Sequence, residues 1–240
     1  RDRLRSRGLG DVYKRQVASA AAVVCLILGS VSYIRYIDRQ QITYLEASTS
    51  YGERKEIRLP DGTQLILNSC SRVCYPDRFA DEERRVELEG EGYFRVYHNE
   101  KQPFIVNTRH FDVRVLGTCF NVKSYSSDEV VSVDVESGKV QVDLPEAMMR
   151  LRAKEQILIN TVSGEYNKRH EERAVAVWRR GSLRFNSTPI RDVAKELERM
   201  YNCRITFTQG QEFNNLISGE HDNKLSLIHI SEPTRPEPIS

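Results

Sequence analysis

The sequence predicts a mainly β chain: one N-terminal transmembrane helix, an all-β domain of solenoid- or sandwich-like form, and a truncated small α+β domain of β-α-β type. Three observations carry that prediction. First, Val17 to Ile34 is apolar and uncharged for eighteen residues; as a helix it spans about 27 Å, enough for a bilayer core. Second, from Ile57 to Ile159 short runs of Val, Ile, Leu, Phe and Tyr are punctuated by turn residues, with no helical period between them. Third, a helical reading enters only beyond these strands, as a short stretch at Glu171–Trp178 and a 3.6-residue apolar period from Ile190.

The apolar run organises the N-terminal end. Lys14 and Arg15 precede it, and Arg1, Arg3, Arg5 and Arg7 lie upstream; Arg35 and Arg39 follow, offset by Asp38. The excess of cations before the run places the N-terminus inside and the main domain outside the cytoplasm. A cleaved signal peptide ending at Ser30-Val31-Ser32 is the rival reading. A lipoprotein anchored through Cys25 does not fit, because that Cys lies within the run. Residues 1–16 and 225–240 show neither period, and the second crowds three prolines into a tail. Both read as non-native tails.

The remaining order is a polar linker (35–56), the β domain (57–159) and the partial α+β domain (160–224). Ile57 and Leu59 alternate into Pro60-Asp61-Gly62-Thr63, a turn in which Pro presets φ and Gly permits the left-handed region. Gln64 to Leu67 is the next strand. Val86 and Leu88 alternate before Glu89-Gly90-Glu91-Gly92, which is expected to break the run. Tyr93–Tyr97 and Phe104–Val106 follow as strands. Phe111, Val113 and Val115 alternate with Asp112 and Arg114, so one face is buried and one wet. Phe120–Val122, Val130–Val135 and Val140–Val142 complete the set.

Beyond them, Glu171–Trp178 is expected as a short helix ending at Arg179-Arg180-Gly181, and Leu183 and Phe185 as a strand. Ser187-Thr188-Pro189 predicts a helix start, with Thr as the cap. Ile190, Val193, Ala194, Leu197 and Tyr201 form one apolar stripe, with Lys195, Glu196, Glu198 and Arg199 facing out. Cys203, Ile205 and Phe207 alternate as the closing strand.

Charge and chemistry narrow the function. The formal charge is +2, and removing the +4 of residues 1–16 and the −1 of residues 225–240 leaves −1 for the body, so nucleic acid is not expected. Four cysteines lie beyond the apolar run: Cys70, Cys74, Cys119 and Cys203. Two disulfides are possible in an oxidising compartment, and buried free thiols are the simpler reading. The His residues are scattered, so neither metal nor cofactor is expected. No phosphate loop, nucleophile elbow or metalloprotease helix is present. Glu89 and Glu91, two apart on a strand, are expected on one solvated face, and Arg179-Arg180 at a solvated helix end. Gly117-Thr118 is the one reactive candidate: a Thr hydroxyl can attack the preceding carbonyl, where Gly gives little cover and permits a strained φ. The plainer reading is a Gly turn into a strand.

Taken together, several stretches resemble the FecR family of transmembrane anti-sigma regulators. They are Leu59-Pro60-Asp61-Gly62-Thr63 with Leu67-Asn68, Tyr75-Pro76 with Phe79, and Arg85-Val86-Glu87-Leu88 leading into Glu89-Gly90-Glu91-Gly92-Tyr93-Phe94. Pro103-Phe104-Ile105-Val106 and Val115-Leu116-Gly117-Thr118-Cys119-Phe120-Asn121-Val122 complete the pattern, and Trp178–Phe185 with the following helix is similar to the family's C-terminal domain. The family usually has Ala where this chain has Gly92.

The resemblance implies an inner-membrane, single-pass, non-enzymatic regulator with a periplasmic β-solenoid-like module and a domain like the secretin/TonB short N-terminal fold. It implies two partners. One is the N-terminal signalling domain of a TonB-dependent outer-membrane transporter, in control of iron or glycan uptake. The other is an extracytoplasmic-function sigma factor, held by a cytoplasmic domain that this sequence lacks. It also implies cleavage in some members at the bond matching Gly117-Thr118. The rivals are an anchored glycan-binding or scaffolding module, for which Tyr93, Tyr97 and Phe111 would supply an aromatic row, and an envelope hydrolase of solenoid type.

Overall fold

The structure, a computed structural model, describes residues 8–38, 42–172, 174–207 and 215–221. It divides into two units, residues 1–43 and 44–240. In the first unit, α1 runs Gly8–Asp38 and contains the whole apolar run. Helix therefore begins within residues 1–16, expected to be a non-native tail without a helical or strand period. The predicted membrane span is not supported: among the described residues no helix is long and apolar enough to cross a membrane. Positions 18, 19 and 34 lie outside the described side chains.

The second unit opens with β1 (Tyr44–Ser48), inside the expected linker, followed by β2 (Lys55–Arg58), β3 (Gln64–Leu67), β4 (Arg72–Pro76) and β5 (Arg84–Arg95). After these come β6 (Phe104–Asn107), β7 (Asp112–Val115), β8 (Cys119–Ser124), β9 (Val130–Ser137) and β10 (Lys139–Asp143). β11 (Met148–Arg152), β12 (Glu155–Asn160) and β13 (Tyr166–His170) close a 13-stranded sheet.

The sheet curls about β5. The first part of that strand, Arg84 to Glu89, pairs with β4 and β6 in a half-sheet ordered β1-β4-β5-β6-β7-β10-β11. From Gly90 onward it pairs with β3 and β8 in a second, ordered β2-β3-β5-β8-β9-β12-β13. Glu89-Gly90-Glu91-Gly92, predicted to break the strand, instead carries it across. Gly90 sits at φ +105°, and a Cβ there would lie 2.4 Å from Ser71 Oγ, so only glycine permits the close crossing.

The inner faces share one core, in which Leu65, Leu67, Phe94, Phe120, Val133 and Ile157 of the second half-sheet meet Val73, Val86, Phe104, Val113 and Val142 of the first. Phe94 stacks on Phe120 at 5.3 Å and reaches Phe104 across the interior at 6.1 Å. Among the described residues only the β5–β6 pairing is parallel. A solenoid stacks its coils in parallel, so the sandwich-like alternative describes this curled sheet.

The Pro60-Asp61-Gly62 turn forms as predicted and is tied to the sheet. Thr63 donates to the Asp61 carboxylate through its amide and hydroxyl. Arg84, 1% exposed, pairs with Asp61 at 2.8 Å and donates to the carbonyls of Tyr97 and Gln102.

After β13 the predicted helix Glu171–Trp178 is only a 3₁₀ turn, Val177–Arg180, with Ala176 and Gly181 both left-handed at its ends. β14 (Leu183–Pro189) leads into α2 (Ile190–Tyr201), and β15 (Leu216–His221) pairs antiparallel with β14. Thr188 does not cap α2: it belongs to β14, and its hydroxyl accepts from the Asn186 amide. Cys203–Phe207 is not a strand, so the second strand of the β-α-β unit comes later than predicted. The tail 225–240 lies outside the described residues.

Candidate functional site

Strand alternation gives the second half-sheet an outer face of unusual polarity. Glu91 and Tyr93 on β5, Asn121 and Lys123 on β8, and Ser132, Asp134 and Glu136 on β9 have the outward parity. An outer face of this kind ordinarily meets water. Here residues 174–201, the 3₁₀ turn, β14 and α2, lie across it as an arm, and Glu91 is 5% and Tyr93 2% exposed. Glu89, of the same parity but on the first half-sheet, stays exposed. The single solvated face predicted for the two carboxylates is thus corrected: β5 passes from an open half-sheet to a covered one between them.

Contacts from the arm are polar. Trp178, 5% exposed, donates its indole N–H to Asn121 Oδ1 at 3.2 Å, and the Asn121 amide donates to Glu91 at 2.8 Å. Asn68 gives Glu91 a second amide bond at 2.7 Å. Arg179 is not at a solvated helix end; its guanidinium lies 3.6 Å from the centre of the Tyr93 ring and pairs with Glu136, which also accepts from Tyr93 Oη.

α2 seats charged residues on the sheet, so Glu196 and Arg199, predicted to face out, turn inward. Arg199, 8% exposed, makes a two-pronged pair with Asp128 at 2.8 and 2.9 Å and lies 3.7 Å from the Tyr125 ring centre. Glu196 pairs with Lys123. Asp192, 1% exposed, accepts from the amides of Val130, the first residue of β9, and of Glu129 just before it. Of the predicted apolar stripe, Ala194 is buried, Ile190, Val193 and Leu197 are half-buried and Tyr201 is exposed; the helix also packs on β14 and β15.

Burial sets the protonation of this face. It pushes the Asp134 carboxyl up to about 7, with Glu91 adding repulsion. Burial also raises Glu91, assisted by Glu196 and opposed by Lys123 and the two amides. At Lys123 burial works against the cation, but Glu196, Glu91 and Asp128 outweigh it and hold the ammonium above its ordinary range.

The predicted reactive bond lies elsewhere, between β7 and β8. Gly117 does not adopt a left-handed φ. Glycine is needed there for space, since a Cβ would meet His98 Nδ1 at 2.4 Å and His98 Cα at 2.6 Å. Thr118 is buried, and its hydroxyl donates to the Lys139 carbonyl at 2.9 Å. Tyr93 and Phe111 are buried and only Tyr97 is exposed, so these three form no aromatic row. All five cysteines are free. Among the described residues no group of three or more His, Cys, Asp or Glu could hold a metal ion.

Sequence reasoning missed the arm's charged contacts because each partner lies far away in the chain, Asp128 71 residues before Arg199. The one available signal was Asp192, Glu196 and Arg199 at i, i+4 and i+7 on a single side of the helix.

Comparison with known proteins places this geometry. The model of the FecR protein family matches residues 46–141, and that of the FecR C-terminal family matches residues 182–230. Two crystal structures of a candidate anti-sigma factor from Parabacteroides distasonis ATCC 8503, at 2.50 and 1.65 Å resolution, are similar in sequence and fold. They share 47% and 46% identity with TM-scores of 0.73 and 0.72, covering 76% of this chain and 86% and 87% of theirs. No curated protein matches.

Proposed function

The chain belongs to the FecR family of anti-sigma regulators, and from that premise we propose that it relays a signal between two membranes. In this reading the second unit is periplasmic and receives the N-terminal signalling domain of a TonB-dependent outer-membrane transporter. The output is the release of an extracytoplasmic-function sigma factor on the cytoplasmic side. Attachment to the inner membrane with the N-terminus inside belongs to the same proposal, and rests on the family and not on the apolarity of α1.

The observation that supports a relay is the clasp between the two family segments. α2, within the C-terminal segment, holds residues of the N-terminal segment by its charged side. A partner that binds α2 better when the clasp is open than when it is closed would shift the population of the whole unit. The glycan-binding alternative gains no support from Tyr93 and Phe111, which are buried.

The test is affinity capture from the native envelope with the chain as bait. Recovery of a TonB-dependent transporter, lost when its N-terminal signalling domain is deleted, supports the relay. Recovery of cell-wall or glycan material alone overturns it. Self-cleavage at Gly117-Thr118 is proposed as a separate property of the chain, with its own test below.

A further inference from the structure

Five carboxylates and three cations meet where the arm crosses the second half-sheet. Glu91, Lys123, Asp128 and Asp134 come from the sheet side, and Asp192, Lys195, Glu196 and Arg199 from α2. Every one of these cations is committed. Arg199 is held by Asp128, Lys195 by Asp192 at 3.0 Å, and Lys123 by Glu196, with Asp128 at 4.0 Å. Glu91 and Asp134 are left with neutral hydrogen-bond partners: the amides of Asn68 and Asn121 for the first, Ser132 and Gln156 for the second. Arg54 feels Glu91 from the edge, and Lys154, Glu155, Glu171 and Arg184 line the crevice beside Asp134. Glu91 is buried and Asp134 half-buried in that crevice; an ionised carboxylate withdrawn from water without its own counter-ion is costly, and protonation relieves the cost.

We propose that the arm is a proton-linked latch: seating it over Glu91 and Asp134 takes protons up, and lifting it lets them go. The direction follows from the seated state. Burial under the arm raises both carboxyls, Asp134 to about 7. The seated form therefore binds more protons than the lifted one, and acid favours it. That advantage is complete below the ordinary carboxylate range and is lost as pH rises through about 7. Taking Asp134 alone, the ratio of lifted to seated arm rises roughly twenty-five-fold from pH 5.5 to 7.5.

Hydrogen exchange on the full chain tests the latch, with rates corrected for the intrinsic effect of pH. The amides of residues 177–201 are followed against those of β8 and β9 as an internal reference. The expected result is an opening of the arm that rises roughly twenty-fold or more between pH 5.5 and 7.5 while the reference strands do not follow. Asp134→Asn, which keeps an acceptor and removes the charge, is expected to flatten the slope and hold the arm closed at pH 7.5. Glu91→Gln is the second variant, should Asp134→Asn fail to fold. Opening that does not change with pH in the unaltered chain, or an unchanged slope in whichever variant folds, overturns the proposal.

Discussion

Replacing Arg199 with Met tests whether the clasp is a buried, energetically coupled joint or a surface contact. The Met side chain keeps part of the apolar stem and removes the guanidinium. Asp128, 3% exposed, is then left with Lys123 at 4.0 Å as its cation among the described residues, and Tyr125 loses the cation on its ring. Breaking a buried pair by deleting one partner costs about 3–5 kcal/mol. Lys123 compensates in part, so the expected loss is about 2–4 kcal/mol. The chain supplies its own probe, because its single Trp is Trp178, buried in the arm. Urea titration followed by Trp fluorescence should show an earlier transition, while the far-ultraviolet signal of the sheet should change less. Adding Asp128→Ala should return part of the loss, with a coupling of about 1–3 kcal/mol in the double-mutant cycle. A loss below about 1 kcal/mol with no coupling, the behaviour of an exposed ion pair, would refute the reasoning.

Three further outcomes follow from the fold. Gly90→Ala forces a side chain into a left-handed φ against Ser71 and should cost about 2–4 kcal/mol, read as a fall in Tm; an unchanged Tm would mean that β5 can cross without it. Phe94→Ala opens a cavity between Phe104 and Phe120 and should cost about 3–5 kcal/mol in urea unfolding; a cost under about 1 kcal/mol would place the core elsewhere. Self-cleavage at Gly117-Thr118 should give two fragments on a denaturing gel and a single band for Thr118→Ala. Two bands in the variant would exclude Thr118 as the nucleophile, and one band in the unaltered chain would exclude cleavage.

The β domain was legible wherever one face of a strand is wet. Val113 and Val115 alternate with Asp112 and Arg114 because the first half-sheet leaves its outer face open, and the structure keeps that pattern. The Pro60-Asp61-Gly62 turn was legible for a local reason, since its chemistry is complete within five residues. The crossing at Gly90 was not. Two glycines in a run of glutamates signal a break, and what overrides the signal is Ser71, twenty residues away, whose hydroxyl accepts from the Glu91 amide. Local sequence held the glycine but not its neighbour.

The arm follows the same logic at larger scale. An apolar stripe on α2 assigns its buried side only if the covering surface is apolar. The outer face of the second half-sheet is polar, so α2 turns Asp192, Glu196 and Arg199 inward and leaves Tyr201 at the surface. Each of those contacts is made between charges or to backbone amides and needs defined distances, so the seat tolerates little sliding. A joint of this type has few intermediate positions: the pairs are made or they are not. Replacing the same area with apolar side chains could hold the arm more firmly, but would remove the dependence on charge through which protons, or a charged partner, can open it.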